Sequence, residues 1–293
     1  MKSINIFCFG FGRVAKNFVS KINSENFNIN LSTTSRRKTS KKNFNGIIYQ
    51  NYFFDNEQYD KSLISKLKDA DHILVSIPPK ENEDLVIKYF SNFINNFKIK
   101  WVTYLSATSV YGDHNGQWVD ENSETRPTSN NGVSRLKAEN SWLSLKHNKK
   151  LPVQIFRLAG IYSNEHNALT RLKSKTVKLI HKKNHYFSRI HIDDIGNILF
   201  KSLFKFKSGE IYNLSDDKPT SSEEIILYGA KILNIKHIEK TAIDKLESEK
   251  LINFYKNSKK VSNKKIKIFL NYNFKFSTYV EGLDYIRNNF IKL

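Results

Sequence analysis

The sequence contains very little of several residue types. Its 293 residues include one Cys, one Met, five Pro and eleven Gly. A lone cysteine, Cys8, excludes an intramolecular disulfide framework and any zinc cluster built from several cysteines, and we expect no metal site. Unpaired cysteine is compatible with a reducing compartment, so we expect a cytoplasmic protein.

Long hydrophobic runs are absent as well. The first apolar stretch extends only a few residues before Arg13 interrupts it, which is too short for the core of a signal peptide. No segment approaches the roughly 18 uninterrupted apolar residues of a membrane-spanning helix. We therefore expect that the protein is neither secreted nor inserted in a membrane.

Acidic residues are few relative to basic ones. The chain has 48 Lys and Arg against 28 Asp and Glu, a formal net charge of +20. Such a balance raises nucleic acid as a partner. The basic runs, however, lie in separate places, at residues 35–42, 146–150 and 257–265. None has the interleaved aromatics of an RNA-binding surface or the spacing of a zinc finger, so a solvated surface is favoured over a nucleic-acid site.

Apolar segments rich in β-branched and aromatic residues alternate with helical patterns through the first two hundred residues. This alternation predicts an α/β protein built from βαβ units around a parallel sheet. The predicted strands are residues 4–9, 29–34, 46–49, 72–77, 101–106, 153–158 and 210–214. The predicted helices are residues 12–22, 81–97, 131–145, 193–204 and 221–233. The last sixty residues show weaker periodicity.

A glycine-rich turn lies between the first predicted strand and the first predicted helix. Gly10, Gly12 and Ala15 form a G-x-G-x-x-A pattern in the context that a dinucleotide-binding turn requires. The first Gly permits the tight turn, the second admits the pyrophosphate, and the small third residue lets the helix approach the strand. The helix N-terminus would attract the phosphates. We therefore expect cofactor binding by this turn, which also includes Phe11, Arg13 and Val14.

The end of the second predicted strand would lie near the adenine ribose of that cofactor. An Asp or Glu there would bind a 2′-hydroxyl, but this chain has Ser35, Arg36 and Arg37. Arginine suits a phosphate, so NADP(H) is favoured and NAD(H) is the alternative. A second interpretation assigns both arginines to a solvated basic loop that continues to Lys42.

Residues after the fourth predicted strand offer apolar and backbone surface to the same cofactor. Ile77, Pro78 and Pro79 would lie beside the adenosine or its phosphates. The alternative is a proline pair that only ends the strand.

Further motifs give the chain a family resemblance. They are residues 104–121 around Val110-Tyr111-Gly112, then 131–139, 156–162, 188–196 and 209–225. With the glycine-rich turn they resemble the extended short-chain dehydrogenases/reductases, the NAD-dependent epimerase/dehydratase group. The resemblance implies a Rossmann-type doubly wound parallel sheet with a smaller C-terminal α/β cap. Residues 1–159, joined by 188–215, would bind NAD(P), and residues 160–187 and 216–293 would form the substrate-binding cap.

In that superfamily a Ser or Thr before Val-Tyr-Gly and a Tyr-x-x-x-Lys pair transfer protons. Here those three positions hold Ala107, Asn131 and Arg135, and no Tyr occurs between Tyr111 and Tyr162 to restore the pair. An Asn amide is not a general base and Arg stays protonated. Arg135, like Ser106, could still contact the cofactor.

Other residues of the Val-Tyr-Gly loop are candidates for the missing chemistry. Thr108 and His114 would face the nicotinamide, and an imidazole is a common general acid or base, although a histidine on a surface loop is the alternative. In a later motif Asp193 is expected to cap a helix and His191 to be structural. Thr108-Ser109 replace the Asp-Glu pair of the dehydratases, which argues against sugar 4,6-dehydration.

Three functional hypotheses remain open. The first is an NADP(H)-dependent oxidoreductase or epimerase-like enzyme with non-standard proton transfer, acting on a sugar-nucleotide-like or other anionic small molecule. The second is a non-catalytic NADP(H)-binding sensor or scaffold. The third is a basic nucleic-acid-binding derivative. The resemblance also implies a homodimer formed through the helices after the fourth and fifth strands.

Overall fold

A computed structural model describes residues 3–291. Its strands are β1 (Ser3–Phe9), β2 (Asn28–Ser35), β3 (Ser40–Phe44), β4 (Ile47–Phe53), β5 (His72–Val75), β6 (Trp101–Ala107), β7 (Trp118–Val119), β8 (Val153–Leu158), β9 (Gly160–Tyr162), β10 (Arg189–His191), β11 (Ile211–Leu214) and β12 (Lys260–Val261). Its α-helices are α1 (Arg13–Ser24), α2 (Leu63–Lys68), α3 (Leu85–Ile94), α4 (Asn130–Lys149), α5 (Ala168–Lys173), α6 (Ile192–Ser202), α7 (Ser222–Ile232), α8 (Glu249–Lys256), α9 (Lys264–Leu270) and α10 (Tyr279–Phe290).

Eight strands form the main sheet, in the order β11-β8-β6-β5-β1-β2-β4-β3. The pairs β1–β2, β1–β5, β2–β4 and β5–β6 are parallel. From β1 the chain proceeds through β2 and β4 in one direction and through β5, β6, β8 and β11 in the other. This reversal at β1 is the doubly wound topology, and it confirms the predicted α/β fold class.

The connection between β2 and β4 contains an additional strand, β3, which forms a hairpin with β4. β3 runs antiparallel to β4, and the turn between them is formed by Asn45 and Gly46, with φ of +50° and +81°. Two consecutive residues of positive φ, here Asn-Gly, are typical of a tight β-hairpin. The interpretation of residues 35–42 as a basic loop reaching Lys42 was therefore wrong at its C-terminal end. Lys41 and Lys42 belong to an edge strand.

Helix α3 begins four residues later than the sequence pattern predicted. Glu81 and Asn82 have φ of +49° and +68°, in the left-handed region that a helix excludes. The cap is Asp84, whose Oδ1 accepts hydrogen bonds from the backbone N–H groups of Val86 (2.9 Å) and Ile87 (3.0 Å).

The chain divides into two units. The first comprises Met1–Ala107, Val133–Arg157 and Ile195–Tyr212, and the second Thr108–Gly132, Leu158–Asp194 and Asn213–Leu293. Large aromatic residues fill the core of the first unit, among them Phe7, Phe9, Phe90, Tyr104 and Trp142. Aliphatic residues dominate that of the second, among them Leu169, Leu172, Ile226, Leu283 and Ile286. Between residues 3 and 291, no helix is both long and apolar enough to cross a membrane.

Candidate functional site

The glycine-rich turn leaves β1 with a backbone conformation that only glycine adopts readily. Gly10 has a φ of +85°, and a Cβ atom there would lie 2.7 Å from Ile77 Cγ2 and 2.9 Å from Ser76 Oγ. Both the backbone angle and the close approach of the residues after β5 require the absence of a side chain. The structure thus places Ile77 against the turn, and its contact with a cofactor stays a prediction.

Hydrogen bonds from both neighbouring strands fix this turn. The Gly10 N–H donates to Thr34 Oγ1 (3.0 Å), and Thr34 lies near the end of β2. Ser76, just after β5, donates from Oγ to the carbonyl oxygens of Phe9 (3.1 Å) and Gly10 (3.0 Å). The turn is therefore positioned before any ligand arrives.

The N-terminus of α1 is open. Its N-cap residue is Gly12, which has no side chain to cap the first N–H groups of the helix. A Cβ atom at this position would meet nothing within 4 Å. The first turn of α1 contains no acidic residue, and Arg13 is exposed at its start. Ala15, the last residue of the G-x-G-x-x-A pattern, is buried, as expected of a small residue that lets the helix pack closely against the strand. Uncapped N–H groups with free approach are the geometry of an anion site.

The ring of Phe11 packs against the hairpin. Its centroid lies 5.3 Å from that of Phe44 on β3 and 5.1 Å from that of Tyr49 on β4. The ammonium of Lys16 lies 5.8 Å from the Phe44 centroid. The hairpin that replaces a crossover helix therefore supports the glycine-rich turn directly, which the sequence pattern did not predict.

Ser35 and the two arginines follow at the end of β2. Ser35 is half-buried, and Arg36 and Arg37 are exposed. Neither guanidinium has a hydrogen-bond or ion-pair partner among residues 3–291. β2 carries no Asp or Glu, and the two guanidiniums follow the strand whose end is predicted to lie near the adenine ribose of a cofactor.

β5 ends at Val75, two residues earlier than predicted, because Ser76 turns to the carbonyl oxygens of the glycine-rich turn. Pro78 is exposed and Pro79 half-buried just beyond. Their contact with a cofactor stays a prediction.

Three buried polar atoms without partners lie near the end of β6. They are Tyr104 Oη, Ser106 Oγ and Arg135 Nε, all unpaired within the described range. Arg135, on α4, donates from Nη1 to the carbonyl oxygen of Leu105 (2.8 Å). Burial raises the pKa of Tyr104 well above its usual value. Unsatisfied buried polar groups are costly, so these atoms indicate a place where a ligand or water completes the hydrogen bonding.

The Val-Tyr-Gly loop belongs to the second unit. Thr108 and Tyr111 are buried, and Tyr111 Oη donates to Asn213 Oδ1 (2.8 Å). Asn131 is at the start of α4, and its Nδ2 donates to Ser109 Oγ at 3.4 Å. Ala107, the last residue of β6, supplies no functional group.

Both ring nitrogens of His114 contact other protein groups. Nε2 lies 3.1 Å from the carbonyl oxygen of Tyr111 and 3.2 Å from that of Glu124. Nδ1 lies 3.4 Å from Arg126 Nη2. These contacts favour a role in holding the loop together, and proton transfer by His114 stays a prediction.

Lys259 is a residue at this loop that the sequence did not single out. Its Nζ donates to the carbonyl oxygen of Gly112 (2.8 Å), and burial lowers the pKa of Lys259 to about 8. The adjacent Ser258 accepts at its carbonyl oxygen from the N–H groups of His114 and Gly116, each at 3.0 Å. The segment around β12 thus fixes the loop from Gly112 onward. In the sequence Lys259 is one member of a basic run, and only folding distinguishes it.

The residues around the start of α6 have structural partners. His191 Nδ1 accepts from the N–H of Asp193 (3.2 Å), so His191 caps the helix and the assignment of that cap to Asp193 was wrong. The helix begins at Ile192, one residue before Asp193. Asp194 accepts from Tyr272 Oη (2.6 Å) and from the N–H groups of Lys275 (2.7 Å) and Phe276 (3.1 Å).

No model of a known protein family matches the chain. A dTDP-D-glucose 4,6-dehydratase from Dictyostelium discoideum is 28% identical over an alignment of 181 residues, which covers 55% of this chain and 41% of that protein. The chain therefore matches less than half of the length of this relative.

Solved structures match nearly the whole chain. A functionally unknown conserved protein from Silicibacter pomeroyi has a TM-score of 0.85 and 27% identity, covering 99% of both chains. UDP-glucuronic acid 4-epimerase from Bacillus cereus, solved with NAD, has a TM-score of 0.75 and 18% identity over 99% of this chain and 98% of that one. dTDP-glucose 4,6-dehydratase from Bacillus anthracis, also with NAD, has a TM-score of 0.76 and 17% identity over 98% and 96%.

These structural neighbours include members of the NAD-dependent epimerase/dehydratase group. The fold of this chain is that of the extended short-chain dehydrogenases/reductases, and the resemblance predicted from the sequence is confirmed at the level of the fold.

Proposed function

We propose that this chain, with the fold of the extended short-chain dehydrogenases/reductases, binds NADP(H) through its first unit. We further propose that it is an oxidoreductase or epimerase-like enzyme acting on a sugar-nucleotide-like or other anionic small molecule. One observation carries the proposal. The open, uncapped N-terminus of α1 lies after a turn built around Gly10, while the guanidiniums of Arg36 and Arg37, which have no partner within residues 3–291, follow a strand without carboxylates.

The residues present fit such a cofactor. The backbone N–H groups of Gly12, Arg13 and Val14 would bind the pyrophosphate, and Gly12 leaves the space that a phosphate needs. Arg36 and Arg37 would pair with the 2′-phosphate. Ser106 Oγ and Arg135 Nε, unpartnered within the described range, would contact the nicotinamide half. When bound, the nicotinamide accepts or donates hydride.

Proton transfer must differ from that of the usual family member. Asn131 and Arg135 replace the Tyr and Lys that normally carry it, and neither side chain exchanges a proton near neutral pH. We propose that Thr108 and His114 of the Val-Tyr-Gly loop supply hydroxyl and imidazole groups instead. Among structural neighbours, UDP-glucuronic acid 4-epimerase binds both NAD and UDP-glucuronic acid, which supports a nicotinamide dinucleotide and an anionic sugar nucleotide as ligand classes. The second unit would bind that substrate.

Calorimetric titration with NADPH and NADH tests the cofactor assignment. We expect NADPH to bind more tightly, and Arg36→Ala to lose most of the preference because a charge-assisted pair with phosphate is removed. Lys98→Ala, an exposed change before the amino end of β6, is the control and should leave both affinities unchanged. Equal affinity of the wild type for both cofactors would refute the 2′-phosphate assignment, and no binding of either would refute the whole proposal.

A non-catalytic NADP(H)-binding sensor or scaffold is the second candidate. The observation that favours it is the combination of a complete glycine-rich turn with Ala107, Asn131 and Arg135 at the three positions of the usual chemistry. Hydride transfer between NADPH and any member of a panel of nucleotide-linked keto-sugars would exclude this candidate. NADPH binding without turnover of any panel member would favour it.

A further inference from the structure

A chain of three polar side chains connects β2 and β4 below the two arginines. Thr33 Oγ1 donates to Asn51 Oδ1 (3.1 Å), and Asn51 Nδ2 donates to Ser35 Oγ (2.9 Å). Thr33 and Asn51 are buried, with 0% and 3% of their surface exposed, whereas Ser35 is half-buried at the strand end. This series of hydrogen bonds therefore begins in the interior at Thr33 and ends at the surface, next to Arg36 and Arg37.

The hydroxyl of Ser35 receives a second hydrogen bond. The backbone N–H of Arg37 donates to Ser35 Oγ (3.3 Å), so this oxygen accepts from both Asn51 and Arg37. A serine hydroxyl has two acceptor lone pairs and one hydrogen to donate. With both lone pairs used inside the protein, Ser35 can only donate to a group outside it.

We infer that Asn51 is a specificity-determining residue of the cofactor site, because it orients the Ser35 hydroxyl as an outward donor to the 2′-phosphate of NADP(H). This inference rests on the proposed function and deepens it. Asn51 touches no ligand itself and acts through Ser35 as a positioning residue.

The direction of these hydrogen bonds explains why Ser35 would bind the 2′-phosphate of NADP(H) more strongly than the 2′-hydroxyl of NAD(H). A phosphate offers charged acceptor oxygens and no obligatory donor, which matches a hydroxyl that can only donate. In an NAD-binding site a carboxylate accepts from the 2′-hydroxyl, and Ser35 cannot take that role because its acceptor positions are occupied. Ser35 and the guanidiniums therefore select for the same group.

Calorimetric titration of wild type, Ser35→Ala and Asn51→Asp with NADPH and NADH tests the inference. Ser35→Ala should lower NADPH affinity about tenfold, since a charge-assisted hydrogen bond is lost, and change NADH affinity less than twofold. Asn51→Asp has nearly the same shape, but a carboxylate at position 51 only accepts, so Ser35 must turn inward to donate to it. NADPH affinity should again fall about tenfold.

The double variant separates this mechanism from repulsion between a new carboxylate and phosphate. If Asn51 acts through Ser35, Asn51→Asp has no further effect in the Ser35→Ala background. If the charge acts directly, the two losses multiply, and the inference is overturned. Thr33→Val, which removes the first donor of the chain, should lower NADPH affinity by a smaller factor and leave NADH affinity unchanged.

Other outcomes are equally decisive. Unchanged NADPH affinity in Ser35→Ala overturns the inference even if Asn51→Asp does not fold. Unchanged affinity in a folded Asn51→Asp means that Ser35 already donates to position 51, which also overturns it. A wild type without preference for NADPH overturns the 2′-phosphate assignment of the proposed function, whereas a preference that survives in both variants overturns only the role of Asn51 and Ser35.

Discussion

Glu139 and Arg157 form a two-pronged ion pair in the interior of the first unit. Arg157 Nε lies 3.1 Å from both carboxylate oxygens of Glu139, and Nη2 lies 2.7 Å from Oε2. Glu139 is on α4 and Arg157 on β8, with 1% and 3% of their surface exposed. The pair thus links a helix to the sheet at the strand beside β6.

Breaking this pair from one side should be costly. Arg157→Met leaves a buried carboxylate without its partner, and we expect the free energy of unfolding to fall by about 3–5 kcal/mol. Urea unfolding measures the change. The double variant Glu139→Met/Arg157→Met should be less destabilised than Arg157→Met, because no buried charge is left unpaired. A double variant that loses more than the single one would contradict this account.

The two glycines of the turn should respond differently to the same substitution. Gly10→Ala combines a φ of +85° with a close contact to Ile77, and we expect a loss of about 1–3 kcal/mol in unfolding free energy. Gly12→Ala places a methyl group in open space, so stability should change by less than about 1 kcal/mol. Its NADPH affinity should nevertheless fall at least tenfold, because the methyl group occupies the approach to the N–H groups. Gly12→Ala with unchanged NADPH affinity would argue against pyrophosphate binding here.

His72 should give the protein a specific sensitivity to acid. Burial against Trp101, with ring centroids 5.8 Å apart, lowers the pKa of His72 to about 4. The unfolded chain, with a histidine pKa near 6.5, takes up the proton first as the pH falls. The stabilising contribution is therefore complete above about pH 6.5 and is lost between about pH 6.5 and 4, by up to about 1.4 kcal/mol per pH unit.

His72→Phe tests this by keeping a ring and removing the titrating group. The difference in unfolding free energy between wild type and variant should grow as pH rises from 4 to 6.5 and stay constant above pH 7. Parallel curves across the whole range would show that His72 is not responsible.

Lys259 should determine how firmly the loop after Gly112 is held. Trp118 on that loop is 56% exposed, whereas Trp101 and Trp142 are at most 1% exposed, so acrylamide quenching reports chiefly on Trp118. Lys259→Met removes the hydrogen bond to the Gly112 carbonyl, and we expect stronger quenching. Lys259→Arg keeps a cationic donor and should remain close to wild type. Lys256→Met, an exposed change on α8, controls for the loss of charge, and equal effects of both methionine variants would rule out a specific role for Lys259.

Local patterns in the sequence were sufficient for the parts of the fold that local physics determines. β1, the glycine-rich turn and α1 could be predicted because Gly10, Gly12 and Ala15 lie within six residues of one another and form a recognisable local pattern. Two further local signals were present but not used. Asn45-Gly46 indicates a hairpin, and Thr278 with Glu281 forms the capping box that begins α10.

The rest of the site depends on contacts between distant segments. Lys259 and Gly112 are 147 positions apart, and no pattern in one segment identifies the other. Arg135 likewise donates from Nη1 to the carbonyl oxygen of Leu105, 30 positions earlier, and its contact with a cofactor stays a prediction. Which members of a basic run are buried, paired or free is decided only when the sheet and loops are assembled.

The hairpin between β2 and β4 has a consequence for self-association. A strand at the end of a sheet presents unpaired N–H and C=O groups that another chain can extend into an aggregate. One of the two end strands of the main sheet is β3, which carries Lys41 and Lys42 and lies next to β4 with its 72% exposed Ile48. Two like charges on the edge oppose the approach of a second copy in register. Lys41 and Lys42 thus disfavour edge-to-edge pairing of two copies at the β3 end of the sheet.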